Sequence, residues 1–223
     1  MILVEQAGGE DHPAYRKLEA ANLRRQYDFL QSLVEAALET DQPYLSHAIV
    51  RTLHVHAMSC LFEDAGVYRK VAVRAGGHRA ALPSRVPDLM ELFINQVNRA
   101  WAGTDALTLC AFVYWRICHI HPFVNGNGRA ARAASYFVLC VKNGAWLPGD
   151  PILPERMRLR KPLYGPALSK TDEGAGIRQT PLGALKSLIS ADLSEQLRAA
   201  GAPSPGLCAD LAKLAHLPSS AVH

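Results

Sequence analysis

Twelve residues, His121-Pro-Phe-Val-Asn-Gly-Asn-Gly-Arg-Ala-Ala-Arg132, bring an imidazole, a glycine-rich turn and two guanidinium groups together between apolar runs. Gly126-Asn127-Gly128 lies directly before a helical pattern. A helix start offers unpaired N–H groups and the positive end of the dipole. Glycine lets that backbone approach an anion and take positive φ. Phosphate oxygens are the natural guest. Arg129 and Arg132 are three apart, on one side of the new helix, and each can fork onto further phosphate oxygens. His121 stands at the other end of the loop, fixed on one side by Pro122. A histidine near neutral pKa suits taking a proton from a hydroxyl. The grouping therefore fits transfer of a phosphorus-centred group to a protein hydroxyl, with Phe123 turned inward as the loop's anchor. Competing motifs do not fit: there is no Gly-x-x-x-x-Gly-Lys-Ser/Thr run, and Ala131 stands where a dinucleotide fingerprint needs its third glycine. His119 and His121 invite a metal, but no nearby Cys, Asp or Glu completes a set.

The elements that position these residues are mostly helices. Leu18, Ala21, Tyr27, Leu30, Leu33, Val34 and Leu38 recur at threes and fours, predicting a helix from Tyr15 to about Glu39. Asp41-Gln-Pro43 breaks it. A more apolar helix is expected from Tyr44 to Leu61. Val67 to Arg74 is the best strand signal, and with Gly76-Gly77 it predicts a hairpin or extended flap over 70–83. A helix follows from Ser84 to about Trp101, then one over Ala106–Ile120 with Thr104 as N-cap, apolar on nearly every side and so central. Arg129–Asn143 is the next helix, stopped by Asn143-Gly144. Shorter helices are expected near 155–172 and 181–200, and a last near 206–216. His54 and His56 read as partly buried helix histidines, Tyr114 and Trp115 as core. Arg156, Arg158, Arg160 and Lys161 read as a solvated basic edge.

The chain has 223 residues, 49% apolar and 20% charged, with a net charge of +4. That is ordinary for a globular protein and too mild to argue for nucleic acid. Five cysteines, Cys60, Cys110, Cys118, Cys140 and Cys208, include no CxxC pair. They read as reduced residues, three of them in apolar runs, which suits the cytoplasm. The first residues lack the form of a signal peptide, and no run approaches the roughly 18 apolar residues of a membrane span.

The twelve residues resemble the Fic family signature, H-x-F-x-[D/E]-G-N-G-R-x-x-R, at every fixed position but one. The likeness extends to Gly66-Val-Tyr68-Arg69 with Val71-Ala-Val73, to Trp115–Ile120, and to Tyr164-Gly-Pro-Ala167-Leu168, covering roughly residues 44–200. The resemblance implies an all-α Fic-type fold with a short β-hairpin flap. It divides the chain into a lead-in and helix (1–43), a Fic domain (44–200) and a tail helix (201–223). It implies AMP transfer from ATP to a Ser, Thr or Tyr hydroxyl of a target protein. His121 would be the base, Gly126, Asn127 and Gly128 the anion hole, Arg129 a steadying contact and Arg132 the holder of the γ-phosphate. Val71, Ala72 and Val73 of the flap would add a strand to the target. No nucleic-acid or membrane partner is implied, and a separate antitoxin-like inhibitor is one possible partner.

Asn125 departs from the signature, where an acid holds Mg²⁺ against the phosphates. Asparagine keeps a carbonyl oxygen without the charge, so weaker metal binding is expected. Three outcomes are open: a slow AMP transferase, a transferase with another donor, or a silent nucleotide-binding or interaction module. Ser169-Lys-Thr-Asp-Glu173-Gly174 has the letters of the family's inhibitory helix, [S/T]-x-x-x-E-[G/N]. It falls where the ordinary post-motif helix ends, and we read it as coincidence.

Overall fold

The computed structural model describes residues 10–75, 78–171 and 181–201, with Ala75, His78 and Arg79 described by backbone alone. These residues form eight α-helices and one two-stranded ribbon. They are α1 (Pro13–Glu39), α2 (His47–Met58), β1 (Arg74–Ala75), β2 (His78–Arg79), α3 (Val86–Ala100), α4 (Ala106–Ile120), α5 (Asn127–Asn143), α6 (Leu153–Leu159), α7 (Lys161–Thr171) and α8 (Gly183–Ala199). The fold is all-α with a short flap, as the sequence leads one to expect. The helix expected near 206–216, Cys208 and the Glu173-Gly174 pair lie outside the described residues.

The core is built on α4 against α5, as their composition requires. Leu109, Phe112, Val113, Trp115 and Ile117 of α4 are all buried, as are Ala130, Ala131, Ala133, Ala134 and Phe137 of α5. The small residues of α5 let the two backbones approach, and the large ones of α4 fill the space above. Burying one such aromatic side chain contributes roughly 2–3 kcal/mol. Helices α1 and α2 cover one side of α5, and α8 closes the other side against α4, α6 and α7. No helix among the described residues is long and apolar enough to cross a membrane.

Two polar pins set the position of α1. Asn22 donates to the carbonyl of Ser59 at 2.8 Å, and Gln26 donates to that of Leu53 at 2.8 Å. Both side chains are buried, so each satisfies a carbonyl that packing would otherwise strand. They hold the first turns of α1 over the end of α2 and hence over the 121–132 loop.

Several local expectations are corrected. Helix α2 is shorter than Tyr44–Leu61: Ser46 caps its start by accepting from the Ile49 amide at 3.2 Å, and Cys60 turns left-handed at φ 62°. The N-cap of α4 is Asp105, not Thr104, because its carboxylate accepts from the Thr108 amide at 2.8 Å and from the Thr108 hydroxyl at 2.6 Å. The strand expected over Val67–Arg74 is almost wholly absent. Only Arg74–Ala75 pairs, with Ala75 opposite His78 and Arg74 opposite Arg79. Upstream of it the chain is drawn out of any ladder, since the Arg69 amide donates to the Pro122 carbonyl at 2.8 Å. The basic edge is not merely solvated. Arg160 pairs with Asp192, which is fully buried, Arg156 with Glu195 and Arg158 with Glu155.

Candidate active site

His121 ends α4 in the left-handed conformation, φ 53° and ψ 61°. A non-glycine residue there is uncommon and needs support from its surroundings. Three contacts supply it. The His121 amide donates to the Ile117 carbonyl at 2.9 Å. Its Nδ1 lies 3.2 Å from the Cys118 carbonyl, and its own carbonyl accepts from Arg69 Nε at 2.6 Å. A carbonyl can only accept, so Nδ1 carries a proton, and in the neutral ring Nε2 is then the basic nitrogen that a general base requires.

From His121 the loop closes on itself. Phe123 is fully buried, as expected of an anchor. The Asn127 side chain accepts from the Phe123 amide and donates to the Phe123 carbonyl, each at 2.8 Å. The side chain of Asn127 is therefore consumed in closing the loop, and what it offers an anion is its backbone at the start of α5. Gly126 has φ 73°, which bears out the sequence reading of the turn. Gly128 lies in the first turn of α5, and a Cβ there would meet Nη1 of Arg132 at 3.2 Å. The guanidinium thus folds back toward the glycine turn. Arg132 is 8% exposed, and its Nε is buried with no partner among the described residues. A buried donor left unsatisfied is costly.

Arg129 is placed differently. It forms an ion pair with Glu19 of α1 and directs Nη1 at the Met58 sulfur, 2.9 Å away. Glu19 escaped sequence reasoning, because only the docking of α1 brings it to a residue 110 positions later. The two arginines of the motif therefore stand in unlike surroundings, one charge-paired and one with a buried donor open.

Asn125 is fully engaged. Its Oδ1 accepts from the Gly126 amide at 2.6 Å, and its Nδ2 donates to Glu10 Oε1 at 2.9 Å. A resident Mg²⁺ does not fit these groups as they stand. The one side-chain oxygen of Asn125 carries no charge and already accepts a hydrogen bond, and no three His, Cys, Asp or Glu side chains converge among the described residues.

A second missed residue is His54 on α2. The sequence reads it as a partly buried helix histidine, and it is 2% exposed. It also lies beneath the motif. Its ring stacks on Phe123 at 3.7 Å between centroids with 9° between planes. Its Nδ1 accepts from the Gly66 amide and its Nε2 donates to the Asn125 carbonyl, both at 2.8 Å. Burial pushes its pKa down to about 4, against the opposing pull of the Asn125 carbonyl.

That shift has a consequence for stability. In the unfolded chain His54 protonates near pH 6.5, whereas in the fold it stays neutral down to about 4. Its contribution is full above pH 6.5 and is lost as pH falls from 6.5 toward 4. The loss is about 3 kcal/mol over that window. Urea unfolding at pH 7.5 and 4.5 is expected to show this drop in the wild type, and a drop smaller by about 2–3 kcal/mol in His54→Gln. Equal drops would mean that His54 is not the linked group.

The flap residues Val71 and Ala72 are exposed and Val73 is half-buried. They lead into β1 without joining its ladder. Val71 and Leu82, on the two legs, are 54% and 62% exposed.

An all-α bundle with a short flap is the architecture of the Fic-type helical fold. Residues 44–139 match the Fic/DOC family. The fold is shared with a Fic domain containing signaling protein from Bacteroides thetaiotaomicron (TM-score 0.60, 22% identity, covering 82% of this chain and 74% of that one). It is shared also with Fic-1 from C. elegans (TM-score 0.62, 18% identity, covering 82% and 50%). In sequence, the chain is 31% identical over 70 residues to Protein adenylyltransferase Fic from Drosophila willistoni, and 34% identical to that from Drosophila melanogaster. Each match covers 31% of this chain and 14% of the relative.

Proposed function

We propose that the protein is a Fic-type transferase that moves AMP from ATP to a hydroxyl of a target protein. The observation that carries this reading is one loop with a base at one end and an anion seat at the other. His121 turns Nδ1 to the Cys118 carbonyl, which leaves Nε2 as the basic nitrogen of the neutral ring, and α5 carries Arg132, whose Nη1 lies near the glycine turn. The hydroxyl oxygen would attack the α-phosphorus while its proton passes to His121. The bond to the bridging oxygen breaks, and pyrophosphate leaves. Gly126, Gly128, the Asn127 backbone and Arg132 would hold the phosphates, with Arg129 beside them once its pairing with Glu19 allows. Mg²⁺ would arrive with the ATP as part of the substrate. The target strand would lie along Val71–Val73, and a cytoplasmic setting with a separate inhibitor protein completes the reading.

A second reading is favoured by Asn125. Its side chain is spent on Gly126 and Glu10, so the module could bind nucleotide without turning it over, or could use another donor. Incubation with α-labelled ATP and Mn²⁺ or Mg²⁺ separates these readings. Transfer of label to itself or to lysate proteins is the expected result. ATP binding that is lost in Arg132→Ala, with no label under either metal, would establish the silent module. A mass shift on a modified target identifies the donor.

Asn125→Asp sharpens the test. It would set a second carboxylate against Glu10, which a divalent cation would bridge. Mn²⁺ affinity, measured without nucleotide, is expected to rise about tenfold or more, and transfer to rise with it. Unchanged affinity would show that position 125 does not limit metal capture.

A further inference from the structure

Arg69 is 3% exposed, yet among the described residues its guanidinium meets only backbone carbonyls. Nε donates to His121 at 2.6 Å and Nη1 to Val71 at 2.9 Å. Nη2 donates to Ala81 at 2.6 Å, with a longer contact to Ile120 at 3.4 Å. The Arg69 amide adds a bond to the Pro122 carbonyl at 2.8 Å. These acceptors belong to three separate pieces of chain: the end of α4, the first leg of the flap and the second leg. A buried cation normally lies against an acid. Here carbonyl dipoles take that place, and they come from the base's own backbone and from both sides of the ribbon. The planar fork of arginine can span three such acceptors at fixed angles, and the ammonium of lysine cannot.

We infer that Arg69 is a positioning residue that couples the two legs of the flap to the backbone of His121. The inference rests on the transferase reading for its kinetic consequence, though not for its geometry. His121 holds a left-handed conformation, and Arg69 fastens its carbonyl. A shift of Val71 or Ala81 moves the guanidinium and with it the carbonyl of His121. A target strand laid along the flap would in this way set the place of the base. The first leg is fastened a second time three residues earlier, where His54 bridges the Gly66 amide and the Asn125 carbonyl. Flap and motif are thus tied at both ends of the Gly66–Arg69 stretch.

Hydrogen exchange on the full-length protein tests the coupling without any turnover. In Arg69→Lys, exchange over residues 70–82 and 117–123 is expected to rise together by about tenfold, with α8 unchanged. A second variant keeps Arg69: Ala72→Gly combined with Ala80→Gly loosens the legs alone. It is expected to raise exchange at 117–123 by severalfold, because the disturbance passes through the arginine. If the legs loosen and 117–123 does not respond, the coupling is overturned. In the transfer assay Arg69→Lys is expected to lower kcat by roughly 10- to 100-fold while ATP affinity stays within about twofold. Guanidinium ion added to Arg69→Ala should restore part of the rate. Linked exchange in a protein that transfers no label would sink the transferase reading and leave the coupling standing. An active Arg69→Lys with undiminished kcat and unlinked exchange would do the reverse.

Discussion

Replacing His121 by asparagine is expected to lower AMP transfer by about 10³-fold, close to 4 kcal/mol at the transition state, with ATP affinity within about twofold. Asparagine is preferred to alanine because it tolerates the left-handed backbone at this position, φ 53°. The loss is chemical. The contact with Cys118 leaves Nε2 as the basic nitrogen of the neutral imidazole, and asparagine has no group of comparable basicity. The helix start and Arg132 lie beyond the loop, so nucleotide should still bind. Unfolding midpoints and ATP titration of the same preparation separate lost chemistry from lost structure. Transfer that survives within tenfold would remove His121 as the base.

Gly126→Ala is expected to disturb the fold as well as the site. A Cβ at this position would lie 2.5 Å from the Met58 sulfur, 2.7 Å from Met58 Cγ and 2.9 Å from His54 Nε2. The residue also has φ 73°, which alanine adopts only under strain. Overpacking and backbone strain together cost about 3 kcal/mol, a fall in Tm of roughly 6–12 °C for a chain of this size. The clash falls on His54, so the bond to the Asn125 carbonyl should break and nucleotide affinity should fall with it. Gly128→Ala is the contrast. That residue lies within α5 and meets only the far end of the Arg132 side chain, at 3.2 Å. It is expected to fold normally and to lose nucleotide affinity alone. Calorimetry and ATP titration of both variants would decide, and a Gly126→Ala protein as stable as wild type would show that the turn is not locked by its packing.

The placement of Glu19 bears on both experiments. In this structure it holds Arg129, and Glu10 holds the Asn125 amide, so the first turns of α1 and the residues before it sit against the motif. Pairs of this kind at partial exposure contribute modestly to stability. Their weight lies in which side chains of the motif they hold, Arg129 and Asn125, while Arg132 has neither contact.

Much of this was legible in the letters. The period of apolar residues located α1, α4 and α5, and α4 was rightly read as central, because a helix apolar on every side can only be buried. The glycine turn before α5 and the inward Phe123 followed from local chemistry, and the structure bears both out. The flap was visible as a β-rich stretch between two turns, but its strands shrank to two residues each, since Arg69 draws the chain toward Pro122 and His121 instead of into a ladder.

Sequence by itself thus determined the local matters: helix periods, the positive-φ glycine and the set of residue types in the 121–132 loop. Tertiary structure alone decided who meets whom. Glu19 beside Arg129, Glu10 beside Asn125, His54 beneath Phe123 and Arg69 beside His121 join positions 52 to 115 residues apart. Spacing along a chain fixes contacts within a turn or two of helix. Beyond that, contacts depend on the packing of whole helices, through which the folded chain distinguishes an arginine already paired from one whose buried donor is still open.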